Sequence, residues 1–492
     1  MLSNPKLYEI NTRVWIKNFK YGTTLSSIPI KAFEDLADKG IEIIWMMGVW
    51  KTCTGLIDSC CFSVDLVSSY SRSLSDWKRE DVIGSPFSID EYEVNPRLGD
   101  LNDLQKLRET LNKLGIKLFL DFVPNHFGAD TRLLKTNPDI FLKGDKELLS
   151  KDPFTFFCLD SKKDEIFAHG RDPLFPAWTD TVQINYFSQQ ARDFMVNILL
   201  RLTDLCDGVR CDMTMLPLNN VFQNTWLGVL NKKAFKKPQE EFWKYAIEKV
   251  KKKSPDFIFL AEAYWDLEWE LQQLGFDFTY DKRLTDRLGV GDVESVKAHL
   301  QAENEFQMKS TRFLENHDES RAVTKFGKKH TYAAAVLIST IQGMKLYYDG
   351  QFEGKKVKLP VQLGREPEEK VSESLKEYYN KILMITKSEI FKIGKWFMID
   401  PLPVSNSNDT FENMFAWQWK LGKELRIVVI NYSVVTAQCR IRLDIKTQDR
   451  EIKMTDLITN EEYSRSVNEI RNLGLFVELK SYHSHIFAVT VN

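Results

Sequence analysis

From about residue 7 to 350 the chain alternates short apolar runs with stretches of helical period. One unit shows the rhythm. Leu101, Leu104, Leu107, Leu111 and Leu114 recur at spacings of three and four, which is one helical face. Asp100 or Asn102 can cap its start and Gly115 can end it. The run KLFLDFV over 117–123 then reads as a strand buried on both faces. Similar runs at 7–15, 41–49, 207–212, 257–262, 276–280, 311–315 and 344–348 predict further strands. Helices are expected between them, for example over 189–205, 239–253 and 330–342. Such alternation makes parallel sheet, and eight strands suggest a closed (β/α)8 TIM barrel. The alternative is an open doubly wound sheet. No glycine-rich phosphate loop follows the first strand, which counts against it.

The rhythm breaks twice. Between Val123 and the helix at 189 lies a long connection rich in Pro, Asp, Gly and aromatics. Connections of that length are usually functional or carry a small subdomain. After about residue 390 the period changes to two, as in RIVVINY over 426–432 and CRIRLD over 439–444. That predicts a separate antiparallel all-β domain, reached through a polar link near 364–376. The expected division is a barrel in 1–126 and 182–388, an inserted subdomain over 127–181, and a C-terminal antiparallel β-sandwich over 389–492.

Composition narrows the function classes. The 492 residues are 43% hydrophobic and 28% charged, ordinary for a globular protein. A formal net charge of -2 offers no field for nucleic acid or an anionic membrane. The basic runs at 232–233 and 251–253 read as solvated helix faces. Seven cysteines, an odd number without CxxC spacing, read as buried, reduced thiols. No apolar run reaches the roughly 18 residues of a membrane span, and no signal pattern opens the chain. A cytoplasmic enzyme is expected.

Barrels of this kind carry their chemistry at the C-terminal ends of the strands. There the third strand presents Asp121 to His126, the fourth GVRCD ending at Asp212, the fifth Glu262, and the seventh Glu315-Asn-His-Asp318. A lone Asp after a strand is usually a turn former or helix cap. Carboxylates at four strand ends, with Arg210, His126 and His317 beside them, are costly unless used. Arg210 shares a face with Asp212 and can hold it ionised. Glu262, among Phe259, Leu260, Tyr264 and Trp265, is placed to keep its proton. One ionised and one protonated carboxyl are the equipment of glycoside cleavage. Trp178, Trp226, Tyr264 and Trp265 are candidates to stack on sugars.

In order and spacing, DFVPNH at 121–126, GVRCD at 208–212, LAEAYWD at 260–266 and FLENHD at 313–318 resemble the signature regions of the α-amylase family, glycoside hydrolase family 13. The segment Gln183-Ile-Asn185 is a looser match to an extra motif, with Gln where Asp is frequent. The resemblance implies Asp212 as nucleophile, Glu262 as general acid/base and Asp318 as the third carboxylate. It implies Arg210, His126, His317 and Asp121 as substrate-binding residues around the reacting sugar. Asn125 matches a position that often binds calcium; no cofactor is required for the chemistry, and the metal stays open. A Gly-Tyr-Asp turn is replaced by the stretch 84–92, where Phe87 or Tyr92 stands in for the stacking tyrosine. The implied substrate is an α-linked oligosaccharide or polysaccharide. Hydrolysis, transglycosylation through the same intermediate, and a non-catalytic sugar-binding module are the readings to separate.

Overall fold

The computed structural model describes residues 2–160, 165–445 and 447–490. Eight strands close a barrel: β1 (Lys6–Asn11), β2 (Ile43–Met47), β3 (Lys117–Phe122), β4 (Gly208–Cys211), β5 (Ile258–Ala261), β6 (Phe278–Tyr280), β7 (Ser310–Arg312) and β8 (Met344–Tyr348). Every neighbouring pair is parallel, and β8 returns to β1. The period-two geometry of a strand splits each into two faces. Leu7, Trp45, Phe119, Leu260, Phe278 and Leu346 fill the barrel. Tyr8, Ile44, Leu118, Val209, Phe259 and Tyr347 join the outer core under the helices.

Gly208 illustrates how tightly the staves pack. A Cβ there would lie 2.4 Å from the Phe119 ring and 2.7 Å from the Ile258 carbonyl. Gly208→Ala is expected to lower stability by about 1–3 kcal/mol, the usual overpacking cost, in urea melts. An unchanged midpoint would show that Phe119 can step aside.

The helix Leu101–Lys113 starts on a reciprocal cap: Asp103 N donates to Asp100 Oδ1 at 3.0 Å and Asp100 N to Asp103 Oδ2 at 3.0 Å. Leu104, Leu107 and Leu111 are buried, whereas Leu101 lies in the solvent-facing first turn. The first strand is shorter than its apolar run: Thr12–Trp15 is helical. Tertiary contacts decide this, because Arg13 is buried and donates to the carbonyls of Gly84 (3.0 Å) and Val361 (2.7 Å). The polar stretch near 364–376 is not a domain link. It is the end of the loop after β8 plus the start of the helix Glu373–Thr386, which buries Leu375, Tyr379, Ile382 and Leu383.

The connection after β3 leaves and returns through a short antiparallel pair, His126–Gly128 against Thr181–Gln183. Beyond Glu389–Ile393 follow β9 (Lys395–Ile399), β10 (Met414–Leu421), β11 (Glu424–Asn431), β12 (Ala437–Ile441), β13 (Glu451–Asp456), β14 (Glu462–Ser466), β15 (Leu475–Leu479) and β16 (Ser484–Thr490). Six form a sheet in the order β9-β10-β11-β16-β13-β14, and β12 pairs with β15. One face of that sheet, with Met414, Ala416, Ile427 and Val429, packs on β12 and β15. The other, with Phe415, Trp417, Trp419 and Ile430, is continuous with the barrel's outer core. Trp419 Nε1 donates to the Thr340 carbonyl at 2.6 Å. The β domain thus keeps a core of its own and also packs against the barrel.

No cysteine among the described residues is paired; Cys61, Cys206, Cys211 and Cys439 are buried, but Cys158 is exposed. No helix among the described residues is long and apolar enough to cross a membrane.

Candidate active site

The inward parity that fills the barrel with apolar side chains continues past the strand ends and there becomes polar. Leu7 is followed by Glu9, Phe119 by Asp121, Gly208 by Arg210 and Asp212, Leu260 by Glu262, and Phe278 by Tyr280. The result is a charged cluster on an apolar plug.

Arg210 is the hub. It is wholly buried, with Nη1 2.6 Å from Asp212 Oδ1 and Nη2 2.8 Å from Glu262 Oε2. Its guanidinium lies against the rings of Trp45 (5.0 Å), Phe87 (5.5 Å) and Tyr280 (5.8 Å). Aromatic walls of this sort keep water from screening the cation.

Glu262 Oε1 accepts from the Tyr264 hydroxyl at 2.9 Å and Oε2 from Met213 N at 2.6 Å. Met213 reaches this position in a left-handed backbone conformation, φ 42°, directly after the end of β4. Burial pushes the Glu262 pKa up to about 7; Arg210 opposes the rise and Asp212 and Asp318 add to it.

His317 Nδ1 lies 2.6 Å from Glu9 Oε1 and Nε2 2.9 Å from Asp318 Oδ2. Burial would neutralise the imidazole, but Asp318 and Glu9 outweigh it and raise its pKa to about 10. Asp318 is half-exposed in the cleft. Burial of its surroundings would raise its pKa, yet the charge and hydrogen bond of His317 hold it well below the usual carboxylate range. The Lys358 ammonium, from the loop after β8, donates to the Asp318 main-chain carbonyl.

The structure gathers Asp212, Glu262, Asp318, Arg210 and His317 into one network, with corrections elsewhere. Asp121 does not line the cleft. It is 1% exposed, and its oxygens accept from Trp45 Nε1 (2.9 Å) and Gly48 N (2.6 Å). Its register opposite Arg210 on β4 sets it at the level of that buried guanidinium. Burial lifts its pKa to about 6. His126 lies against Trp178, ring centroids 5.4 Å apart, and burial lowers its pKa to about 4. Of the two candidate stacking rings, Phe87 sits in the site, 5.5 Å from the His317 ring. Tyr92 is spent on the fold, its hydroxyl accepting from Val123 N at 2.8 Å. Trp226 is 3% exposed beneath Arg171 and offers no face to a sugar. Glu315 is structural, held by Arg321 at 2.7 Å and by Ala322 N at 2.5 Å. Glu9 and Tyr280 were missed by the reading of the chain. Glu9 had a signal, a lone acid inside the apolar run of β1.

At the position suggested for calcium an amide nitrogen sits against the oxygens. Asn125 Oδ1 and the Asn125 carbonyl both accept from Gln183 Nε2, at 3.0 and 2.9 Å. Among the described residues no cluster of three or more His, Cys, Asp or Glu side chains could hold a metal ion.

The sequence model of the α-amylase catalytic domain matches residues 86–382. Alpha-amylase 3 of Dictyoglomus thermophilum is 22% identical over 408 residues, 78% of this chain and 74% of that one. Alpha-amylase MalA of Haloarcula japonica is 23% identical over 278 residues, 54% of this chain but only 36% of that one. Among solved structures, the maltogenic α-amylase AmyB of Thermotoga neapolitana superposes with a TM-score of 0.70 at 18% identity, covering 99% of both chains. The α-amylase of Geobacillus thermoleovorans gives 0.68 at 16% identity, covering 99% of this chain and 98% of that one. The barrel, the cluster at its mouth and the match over most of the catalytic domain together show that this chain belongs to the α-amylase family.

Proposed function

We propose that the chain is a retaining glycosidase that cleaves α-glucosidic bonds in α-glucan or maltooligosaccharides. The observation that carries this reading is the single guanidinium of Arg210 touching both Asp212 and Glu262, with burial raising the Glu262 pKa to about 7. Carboxyls close enough to share one guanidinium suit the short spacing of retaining enzymes, about 5–5.5 Å.

The steps follow from the roles. The Asp212 carboxylate attacks the anomeric carbon as Glu262 gives its proton to the departing glycosidic oxygen. The C–O bond breaks and a glycosyl ester of Asp212 forms. Glu262, now a carboxylate, is held by Arg210, Met213 N and the Tyr264 hydroxyl. It then takes a proton from water, whose oxygen attacks the anomeric carbon and releases Asp212. Asp318, ionised beside His317, accepts from sugar hydroxyls, and those bonds strengthen as the ring flattens.

The test is the product profile on a maltooligosaccharide of defined length. Shorter products alone are expected. Shorter and longer products together would replace hydrolysis with glucanotransfer, and no turnover of any α-glucoside would sink the enzymatic reading.

A further inference from the structure

The neck of the insert holds an arrangement that the catalytic steps leave unused. Gln183 is fully buried and lies opposite His126 in the short ladder that closes the insert. Its Nε2 faces three oxygens: the Asn125 carbonyl at 2.9 Å, Asn125 Oδ1 at 3.0 Å and the Ile184 carbonyl at 3.0 Å. An amide has two N–H groups, so three acceptors converge on one nitrogen that cannot serve each singly. Its own Oε1 is buried with no hydrogen-bond partner among the described residues. That orphan fixes the amide's orientation, since turning it over would set an oxygen against three oxygens. Three neutral oxygens around one point are part of the donor set that a hard cation takes.

We propose that the Gln183 amide nitrogen takes the place of a bound cation at the neck and, through Asn125, positions the proton of His126. With Asn125 Oδ1 accepting from Gln183, Asn125 Nδ2 is turned toward His126 Nδ1, 3.3 Å away. A donor facing Nδ1 makes that nitrogen the acceptor of the neutral ring, so the ring proton sits on Nε2. The neutral ring then carries its single donor at Nε2, with the Phe87 backbone among its hydrogen-bond partners. Gln183 is a positioning residue in this scheme, and its effect on turnover rests on the glycosidase reading. The cation seat stands apart from that reading and is read by melting temperature.

The experiment compares wild type with Gln183→Asp, each with calcium chloride and with EDTA, by thermal unfolding and by initial rates on maltooligosaccharides. Wild type is expected to melt at the same temperature in both media. Gln183→Asp should melt lower in EDTA and recover in calcium, because its carboxylate completes the seat. Its kcat should fall roughly tenfold in EDTA, the usual cost of disturbing an outer-shell partner, with little change in KM, and return with calcium. Gln183→Glu, isosteric with the native side chain, serves if Asp does not reach the three oxygens. A wild-type melting temperature that drops in EDTA would overturn the proposal. So would an absence of calcium response in both variants, since the oxygens would then form no cation seat. In a His126→Ala background, Gln183→Asp should cause no further loss of kcat; an additive loss would break the link to His126.

Discussion

Asp212→Asn is expected to lower kcat on maltooligosaccharides by a factor on the order of 10⁴ or more, as removal of a covalent nucleophile does. The fold should be kept. Asp212 is 6% exposed and its carboxylate is held by Arg210, which retains Glu262 as a partner. The amide also removes one of the negative charges that raise the Glu262 pKa, so the melting temperature should hold or rise. The measurement pairs initial rates with thermal unfolding of the same preparation. Turnover close to wild type in a folded variant would remove Asp212 from the role of nucleophile.

The second large effect belongs to Glu262. In the proposed role of general acid it must carry its proton, so kcat/KM should fall as pH rises through about 7. Glu262→Ala should lose several powers of ten on substrates with a poor leaving group. It should lose far less on an aryl glucoside, whose leaving oxygen departs without protonation. Equal losses on both would argue that Glu262 acts elsewhere in the cycle. Stability is linked to the same proton. The carboxyl titrates near 7 in the folded chain against 4.5 for the free group, so folding holds the proton more tightly. The stability this contributes is fully present below 4.5, declines as pH rises, and is gone above 7. The span corresponds to about 3 kcal/mol. Glu262→Gln cannot ionise and lacks that slope. It should therefore gain on wild type between pH 5 and 8 in denaturant melts, and parallel pH profiles would show that Glu262 is not the group responsible.

Much of the fold was legible because its strongest signals are local. Each run that marks a barrel strand overlaps an observed strand, since strands buried on both faces are mostly apolar, although β7 itself is Ser310-Thr311-Arg312. Their ends were less legible. The first run continues through Val14 and Trp15, yet the chain turns helical at Thr12 so that Arg13 can bind carbonyls from loops far along the sequence. The β domain could be recognised by its period of two, but not its attachment. An alternating strand has one apolar face by pattern, whereas β10 is apolar on both. At the site, parity brings Arg210, Asp212 and Glu262 together from spacing alone. What spacing could not give is depth. Asp121 shares that parity, yet its two oxygens are taken up by Trp45 Nε1 and Gly48 N.

The double-sided sheet has a consequence for how the chain is made. The helices Lys328–Thr340 and Glu389–Ile393 are synthesised before the strands that cover them. Until β10, β11 and β16 have left the ribosome, the patch that will meet Trp417, Trp419 and Ile430 faces water. At about 5–20 residues per second that interval lasts several seconds or longer, and the last strand of the cover, β16, pairs between β11 and β13. The barrel therefore waits for its final segment with an adhesive surface open, and a nascent chain stalled in that window is the form of this protein most in need of a chaperone.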